Sequence, residues 1–378
     1  MIAPVGAIIN VDQIGVREMK ASLARLRWLR QVAGVVLACI AIVSCRSDGP
    51  SVVVETTRLR PPGQASTNVR VAVQTQWDTL AVLIPTNGAK WQPLWIASSA
   101  TSVYVFDQTA SRLLGFDASG HESWVVGDTT LRYGRFENVR DVRVANDGKI
   151  WILDSQAARI TVVQPNGKVE RQISIDSLAY TEKVIPLGEG RFVALTSDDK
   201  KPFVLAEATG RKLTAFAFPW VGYAKLPSVS RFGSVALGTA GEWSFAFANG
   251  DGWFVFDSAV ARPLTGHFVE RVAFPAVITQ VEGRRTTRRL PHRTMAALST
   301  RLHGDTLYVL FGGDRPDRGR RIDLYDARSG AYQGTWGLPF RAAAITASGS
   351  RWAFMTAETD PHVVLMRRST SNLRVAVK

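Results

Sequence analysis

Two stretches of the chain lie over one another without a gap. VYVFDQTASRLLGFDASG covers residues 103–120 and IWILDSQAARITVVQPNG covers residues 150–167, an offset of 47. Each opens on an alternating apolar run with an aromatic at its second place, Tyr104 or Trp151. Asp107 or Asp154 follows, then four turn residues, then Arg112 or Arg159, a second apolar run and a closing glycine, Gly120 or Gly167. This is a strand–turn–strand unit, and an isolated hairpin cannot bury its faces. A unit that recurs at such a period stacks on its own copies, so the repeat constrains the fold more than any other feature of the sequence.

The segment between the two copies, GDTTLRYGRFENVRDVRVANDGK, carries Gly134-Arg135-Phe136 and then an apolar strand ending at Asn146-Asp147-Gly148. Weaker copies follow at 188–210, with Pro202 in place of the arginine, and at 240–266, where an Asn-Gly-Asp-Gly turn separates two aromatic strands. Two more lie at 303–330 and 348–369. With Tyr104, Trp151, Phe192, Trp243, Tyr308 and Trp352 as markers, the steps are 47, 41, 51, 65 and 44 residues. A period of roughly 40–50 residues holding about four strands is that of a propeller blade. The order of Gly-x-Phe, inner strand, Asp-x-Gly, aromatic-led strand, Asp…Arg and outer hairpin resembles the NHL type of β-propeller repeat. The expectation is an all-β, six-bladed propeller of four-stranded antiparallel blades over residues 69–378. The 65-residue step is too short for a further complete blade and is read as a long loop, which leaves seven blades the less favoured count. Ring closure protects the exposed edges of the first and last blades. Either VRVAV at 69–73 or NLRVAV at 372–377 is placed to complete a blade begun by the other end.

The N-terminus sets the compartment. Residues 32–44 form an uncharged run of thirteen, preceded by Arg17, Lys20, Arg25, Arg27 and Arg30. As a helix this run rises roughly 20 Å, short of the roughly 30 Å hydrocarbon core, so an export signal fits better than a membrane span. It ends in Ile42-Val43-Ser44-Cys45, which resembles the lipobox of bacterial lipoproteins. The resemblance implies cleavage before Cys45 and lipid attachment at that residue. Ordinary signal cleavage prefers small residues at −3 and −1, and Ile42 is large. On this reading Cys39, the only other cysteine, leaves with the signal, and the mature chain holds neither a free thiol nor a disulfide. Residues 1–44 are the signal, with 1–18 an extension ahead of a start at Met19. Residues 45–68, rich in Pro, Gly and Ser, are the lipidated cysteine and a flexible tether. The expected place is the bacterial cell envelope, on a membrane facing the periplasm or the cell surface.

The whole chain carries a formal charge of +14, of which residues 1–44 hold +3, leaving about +11. In an exported protein such a charge points to anionic lipid heads, acidic glycans or acidic proteins rather than nucleic acid. Two arginine-rich stretches concentrate it. EGRRTTRRLPHR at 282–293 falls in the link from blade 4 to blade 5, and GGDRPDRGRR at 312–321 is the turn between strands 2 and 3 of blade 5. Both belong on the same face of a propeller. They supply Arg284, Arg285, Arg288, Arg289, Arg293, Arg315, Arg318, Arg320 and Arg321. The guanidinium fork suits carboxylate, sulfate and phosphate, so these arginines are the candidate anion-binding residues, set against the plainer reading of solvated loop tips.

Catalytic signatures are sparse. Asp107–Arg112 and Asp154–Arg159 recur at one blade position and are read as bridges across their own turns. His121, His267, His292, His303 and His362 are scattered without metal-ligand spacing. The sequence holds no Gly-x-Ser-x-Gly elbow, P-loop or haem-attachment motif. Asp141 and Asn138 are the candidates to face a central channel, with inter-blade hydrogen bonding as their plainer role. The expectation is a monomeric, membrane-tethered, non-enzymatic binding or scaffold protein without cofactor or metal. The alternative is a metal-dependent, lactonase-like hydrolase or lyase working in the channel. Three or more converging carboxylate or amide oxygens there would favour the enzyme, and a lining of small apolar residues would favour binding.

Overall fold

The computed structural model describes residues 51–55, 61 and 69–374, except 87, 89, 128–134, 179, 189, 258–262, 283, 284, 290–293 and 314. Cys45, the signal segment, Arg284 and Arg293 lie outside the described residues.

Six sheets of four antiparallel strands form the propeller. Their innermost strands are Pro93–Ser98, Val139–Val144, Thr181–Gly188, Gly233–Leu237, Ala297–His303 and Ala342–Ser348, for blades 1 to 6. Each inner strand neighbours the next, and the sixth neighbours the first, so the ring is closed. Apart from strands, the described residues hold two single 3-10 turns, Tyr223–Lys225 and Ser228–Ser230. The six aromatic markers all fall on second strands.

The repeat persists because the seams between blades are where apolar surface is buried. Six hydrophobic clusters occupy the six seams, and the largest lies between blades 3 and 4. There Trp243 stacks on Phe256 at 3.9 Å, and Phe218 stacks on Tyr223 at 4.1 Å. Trp243 and Phe256 are wholly buried. The closing glycines have a backbone reason: Gly120 and Gly167 sit at φ +88° and +84°, where a side chain is strained. A Cβ on Gly167 would also lie 2.7 Å from the Trp124 indole of the neighbouring blade.

The ring closes from the N-terminal side, but through the residues that follow VRVAV at 69–73 rather than through that stretch, of which only Val73 lies in the closing strand. Val73–Leu83 is the outermost strand of blade 6, paired with Val363–Arg374. Just before it, the chain runs along the outer strand of blade 5: Thr335 N donates to Val71 O at 2.8 Å, and Val71 N donates to Tyr332 Oη at 3.1 Å. Arg70 completes this clasp. Its Nε and Nη2 donate to the two carboxylate oxygens of buried Asp323 at 3.1 and 3.0 Å, its Nη1 pairs with Glu270, and its guanidinium lies 4.5 Å over the Phe311 ring.

The 65-residue step departs from the sequence expectation. Within it, Val277–Glu282 and Arg285–Arg289 form a hairpin, and Ser51–Glu55 pairs with the first of these strands. The stretch is therefore an added three-stranded sheet rather than a loop. Part of the segment assigned to the tether, Ser51–Glu55, is one of its strands. Along the first hairpin strand Val277, Thr279 and Val281 alternate with Ile278, Gln280 and Glu282, and the latter three share a face with Arg289, Thr287 and Arg285, as suits a pleated ribbon with one wet face.

Candidate functional site

The Asp–Arg pairs of the repeat turn out to cap the blade. Asp154 is fully buried; its carboxylate accepts from Glu137 N and Asn138 N, both at 2.9 Å, with Arg159 Nη2 at 3.5 Å. Asp107 likewise accepts from Gln92 N at 3.0 Å and meets Arg112 Nε at 3.3 Å. In both blades the carboxylate ties the end of the second strand to the chain entering the inner strand. Donors fill these carboxylates, which suits structure rather than proton transfer.

The two arginine stretches emerge on one face. The end of the blade 4–5 link is joined to the blade 5 turn by Gly312 N→Ala296 O and Gly313 N→Met295 O, both at 2.8 Å. Near the start of the same link, Glu270 lies 3.9 Å from Arg315 Nε. Arg321 is committed to Asp317, four residues before it in the turn. Arg285 and Arg289 on the hairpin, and Arg318 and Arg320 on the turn, are exposed and have no carboxylate partner among the described residues. Arg288 lies in the hairpin strand Arg285–Arg289. The expected set therefore divides: Arg315 and Arg321 carry ion pairs, while Arg289, Arg318 and Arg320 are exposed without a carboxylate partner among the described residues, and Arg285 stands across the hairpin from Glu282 without an ion pair to it.

The ring encloses a central channel cavity of about 330 Å³, to which all six inner strands contribute. Much of its wall is small, as at Ser98, Ser234, Ala297, Ser299 and Ala344, but charge enters at Arg140, Asp141, Arg143, Glu182, Lys183 and Arg301. Asp141 faces the channel as the sequence suggests, and its carboxylate is held by two cations and a backbone N–H. Arg143 Nε and Nη2 reach its oxygens at 3.0 and 2.9 Å, Lys183 Nζ lies 3.6 Å away, and Val184 N from blade 3 donates at 3.2 Å. Lys183 also donates to Arg140 O at 3.1 Å and lies 4.1 Å over the Trp95 ring. Burial pushes its pKa down, and the Asp141 charge works against that shift. Arg301 Nη1 donates to Leu237 O at 2.9 Å. Asn138 uses its backbone N to bond Asp154 and is not part of the channel wall.

Two arrangements escaped the sequence reading. Arg143 and Arg301 each stand opposite an aromatic marker, Trp151 and Tyr308, in the pairing of first and second strands. They occupy the same place in the repeat, a signal that was available had inner strands been aligned as the hairpins were. The other is a buried pair in blade 4, His267 Nδ1 at 2.9 Å from Asp251 Oδ2. Asp251 also accepts from Phe268 N at 2.9 Å, tying the Asn-Gly-Asp-Gly turn to the link that leaves the blade. Among the described residues no group of three or more His, Cys, Asp or Glu is placed to hold a metal ion.

No family model matches the chain, and no curated protein matches it. Solved structures similar to it include a streptogramin B lyase, 14% identical with a TM-score of 0.46 over 77% of this chain and 97% of that one. Virginiamycin B lyase from Staphylococcus aureus is 11% identical with a TM-score of 0.45, over 78% and 99% of the two chains. BamB from Moraxella catarrhalis is 12% identical with a TM-score of 0.38, over 83% and 98%. At these levels the likeness says nothing about activity or ligand.

Proposed function

We propose that the chain is an exported, lipid-tethered binding or scaffold propeller of the bacterial cell envelope, non-enzymatic, which engages an anionic partner through the arginine face beside blade 5. The observation that carries this reading is the set Arg285, Arg289, Arg318 and Arg320: four exposed arginines, on the blade 4–5 link and on the blade 5 turn that its end meets, without ion pairs among the described residues. A cluster of unpaired guanidinium groups raises the local potential for carboxylate, sulfate or phosphate. The NHL-like order of the repeats supports a propeller that presents its binding residues on loops, where they vary without disturbing the blades. The lipobox-like Ile42-Val43-Ser44-Cys45 supports attachment at Cys45 and, with it, a partner at the envelope.

Two experiments test the reading. Mass spectrometry of the chain from a bacterial host is expected to find an acylated N-terminal Cys45; an unmodified chain beginning upstream of it would remove the tether. Retention on an immobilised acidic polysaccharide is expected to weaken sharply in a variant with Arg285, Arg289, Arg318 and Arg320 all changed to Ala. Equal retention of that variant would dismiss the arginine face.

A further inference from the structure

A second cationic site lies inside the ring, and it does not depend on the arginine face. Arg143 is on the inner strand of blade 2 and Arg301 on that of blade 5, which stand opposite one another in a six-membered ring. Their side chains nevertheless converge. Arg143 Nη1 donates to Val235 O, and Arg301 Nη1 donates to Leu237 O. Both carbonyls belong to the innermost strand of blade 4, on the edge left open by its pairing with the second strand. Residues two apart on a strand are separated by about 7 Å, so two guanidinium groups are anchored side by side along one wall of the channel.

Like charges held this close in a partly dehydrated cavity repel one another, and the surroundings do not balance them. Around the cavity, Arg140, Arg143, Lys183 and Arg301 face only two carboxylates, Asp141 and Glu182. Asp141 serves Arg143 and Lys183 at once. Glu242, the carboxylate near Arg301, is turned to its own turn, accepting from Thr239 N at 3.1 Å and Ala240 N at 2.8 Å. Arg301 is left without an ion pair among the described residues, and its Nε is buried without a hydrogen-bond partner. Burial, and next the Arg143 charge, press its pKa down. An arginine does not relieve this by losing its proton, because the guanidinium stays charged in proteins. An anion between the two guanidinium groups would settle the charge.

We propose that Arg143 and Arg301 form an oxyanion-binding site within the central channel, which takes a compact carboxylate, sulfate or phosphate group between the two guanidinium forks. Ser98, Thr346, Ser299 and Thr300 also line the cavity, from blades 1, 6 and 5, where their hydroxyls bond one another, Ser234 and Ile345 O. The cavity of about 330 Å³ stands at the small end of the roughly 300–1,000 Å³ range of ligand sites, which favours a small metabolite anion or a single acidic group over a polymer.

The test is equilibrium dialysis of the purified full-length protein in detergent against labelled inorganic phosphate, sulfate and acetate, each at one fixed ionic strength set with chloride. The expected result is saturable uptake of at least one of them, weakened about tenfold or more in Arg301→Met, since a hydrogen bond to a charged group contributes about 1.5–3 kcal/mol. Arg301→Lys should retain part of it. The variant lacking the four exposed loop arginines should bind like wild type, so this site and the arginine face fail separately. No saturable uptake of any of the three, or uptake unchanged in Arg301→Met, overturns the proposal. Crystals of the wild type soaked in selenate supply a test that does not need a variant to fold. Anomalous density between Arg143 and Arg301 supports the site, and density confined to surface arginines refutes it.

Discussion

Replacing Arg70 with methionine cuts the clasp that joins the start of the propeller to blade 5. Asp323 is wholly buried, and in the intact protein it is satisfied by two guanidinium hydrogen bonds at 3.1 and 3.0 Å and by the Thr335 hydroxyl. Without Arg70 the carboxylate keeps only the neutral donor. Breaking a buried ion pair on one side costs about 3–5 kcal/mol. The partly exposed Glu270 contact adds less than about 1 kcal/mol, and the loss of the cation over Phe311 adds roughly 0.5–1 kcal/mol. A total near 4–5 kcal/mol corresponds to a fall in Tm of about 6–8 °C for a domain of roughly 310 residues. Calorimetry and urea unfolding measure it. The double variant Arg70→Met/Asp323→Leu removes both charges and should regain most of the loss, because apolar replacement of a buried pair is often near neutral. A single-variant loss below about 1 kcal/mol, or a double variant as unstable as the two single changes added together, would refute the idea that Arg70 and Asp323 act as one clasp.

Three further outcomes follow from the same geometry. Asp154→Ala strands Glu137 N and Asn138 N and leaves Arg159 without its buried partner; thermal unfolding should show a loss of about 3 kcal/mol. Gly115→Ala puts a methyl group 2.3 Å from the Trp124 indole, and overpacking of this kind should cost about 1–3 kcal/mol, read by urea unfolding together with a change in Trp fluorescence. Lys183 has a folded pKa below its ordinary value of 10.5, so between those two values the unfolded chain holds the extra proton and stability rises with pH. Urea midpoints measured from neutral pH to pH 10 should therefore show an upward contribution in wild type that is missing in Lys183→Met, and identical slopes would contradict the assignment.

The parts of the fold legible in the sequence were those fixed by local chemistry. Asp–x₄–Arg marks a tight turn whose carboxylate must be satisfied nearby, closing glycines such as Gly167 meet a backbone requirement, and aromatics at one place in each hairpin, buried except for the half-buried Tyr308, fill the seams. Long-range pairing was not legible. Nothing in Ser51–Glu55 announces that it will pair with Val277–Glu282, more than two hundred residues on, because any short run of valines fits many edges. Ring closure was ambiguous for a like reason: both ends of the chain carry Val-rich strands, and what separates them is Arg70, whose acceptors Asp323 and Glu270 lie far along the sequence. At the candidate site the arginine stretches were visible as composition, but which arginines are spent on Glu270 and Asp317 depends on how the turn folds. The channel pair was hidden in the inner strands. Arg143 and Arg301 read there as single polar residues of alternating strands, and only the ring turns them toward each other.

The central claim is that exposed arginines beside blade 5 bind an anionic partner. A titration of the propeller from residue 51 onward with a soluble acidic polysaccharide, repeated across salt concentrations, addresses it most directly. The account predicts saturable, salt-sensitive binding that is lost on changing Arg285, Arg289, Arg318 and Arg320 to Ala and kept in Arg301→Met. Binding that survives the loss of the four exposed arginines, or a wild type that does not bind at low salt, would contradict it.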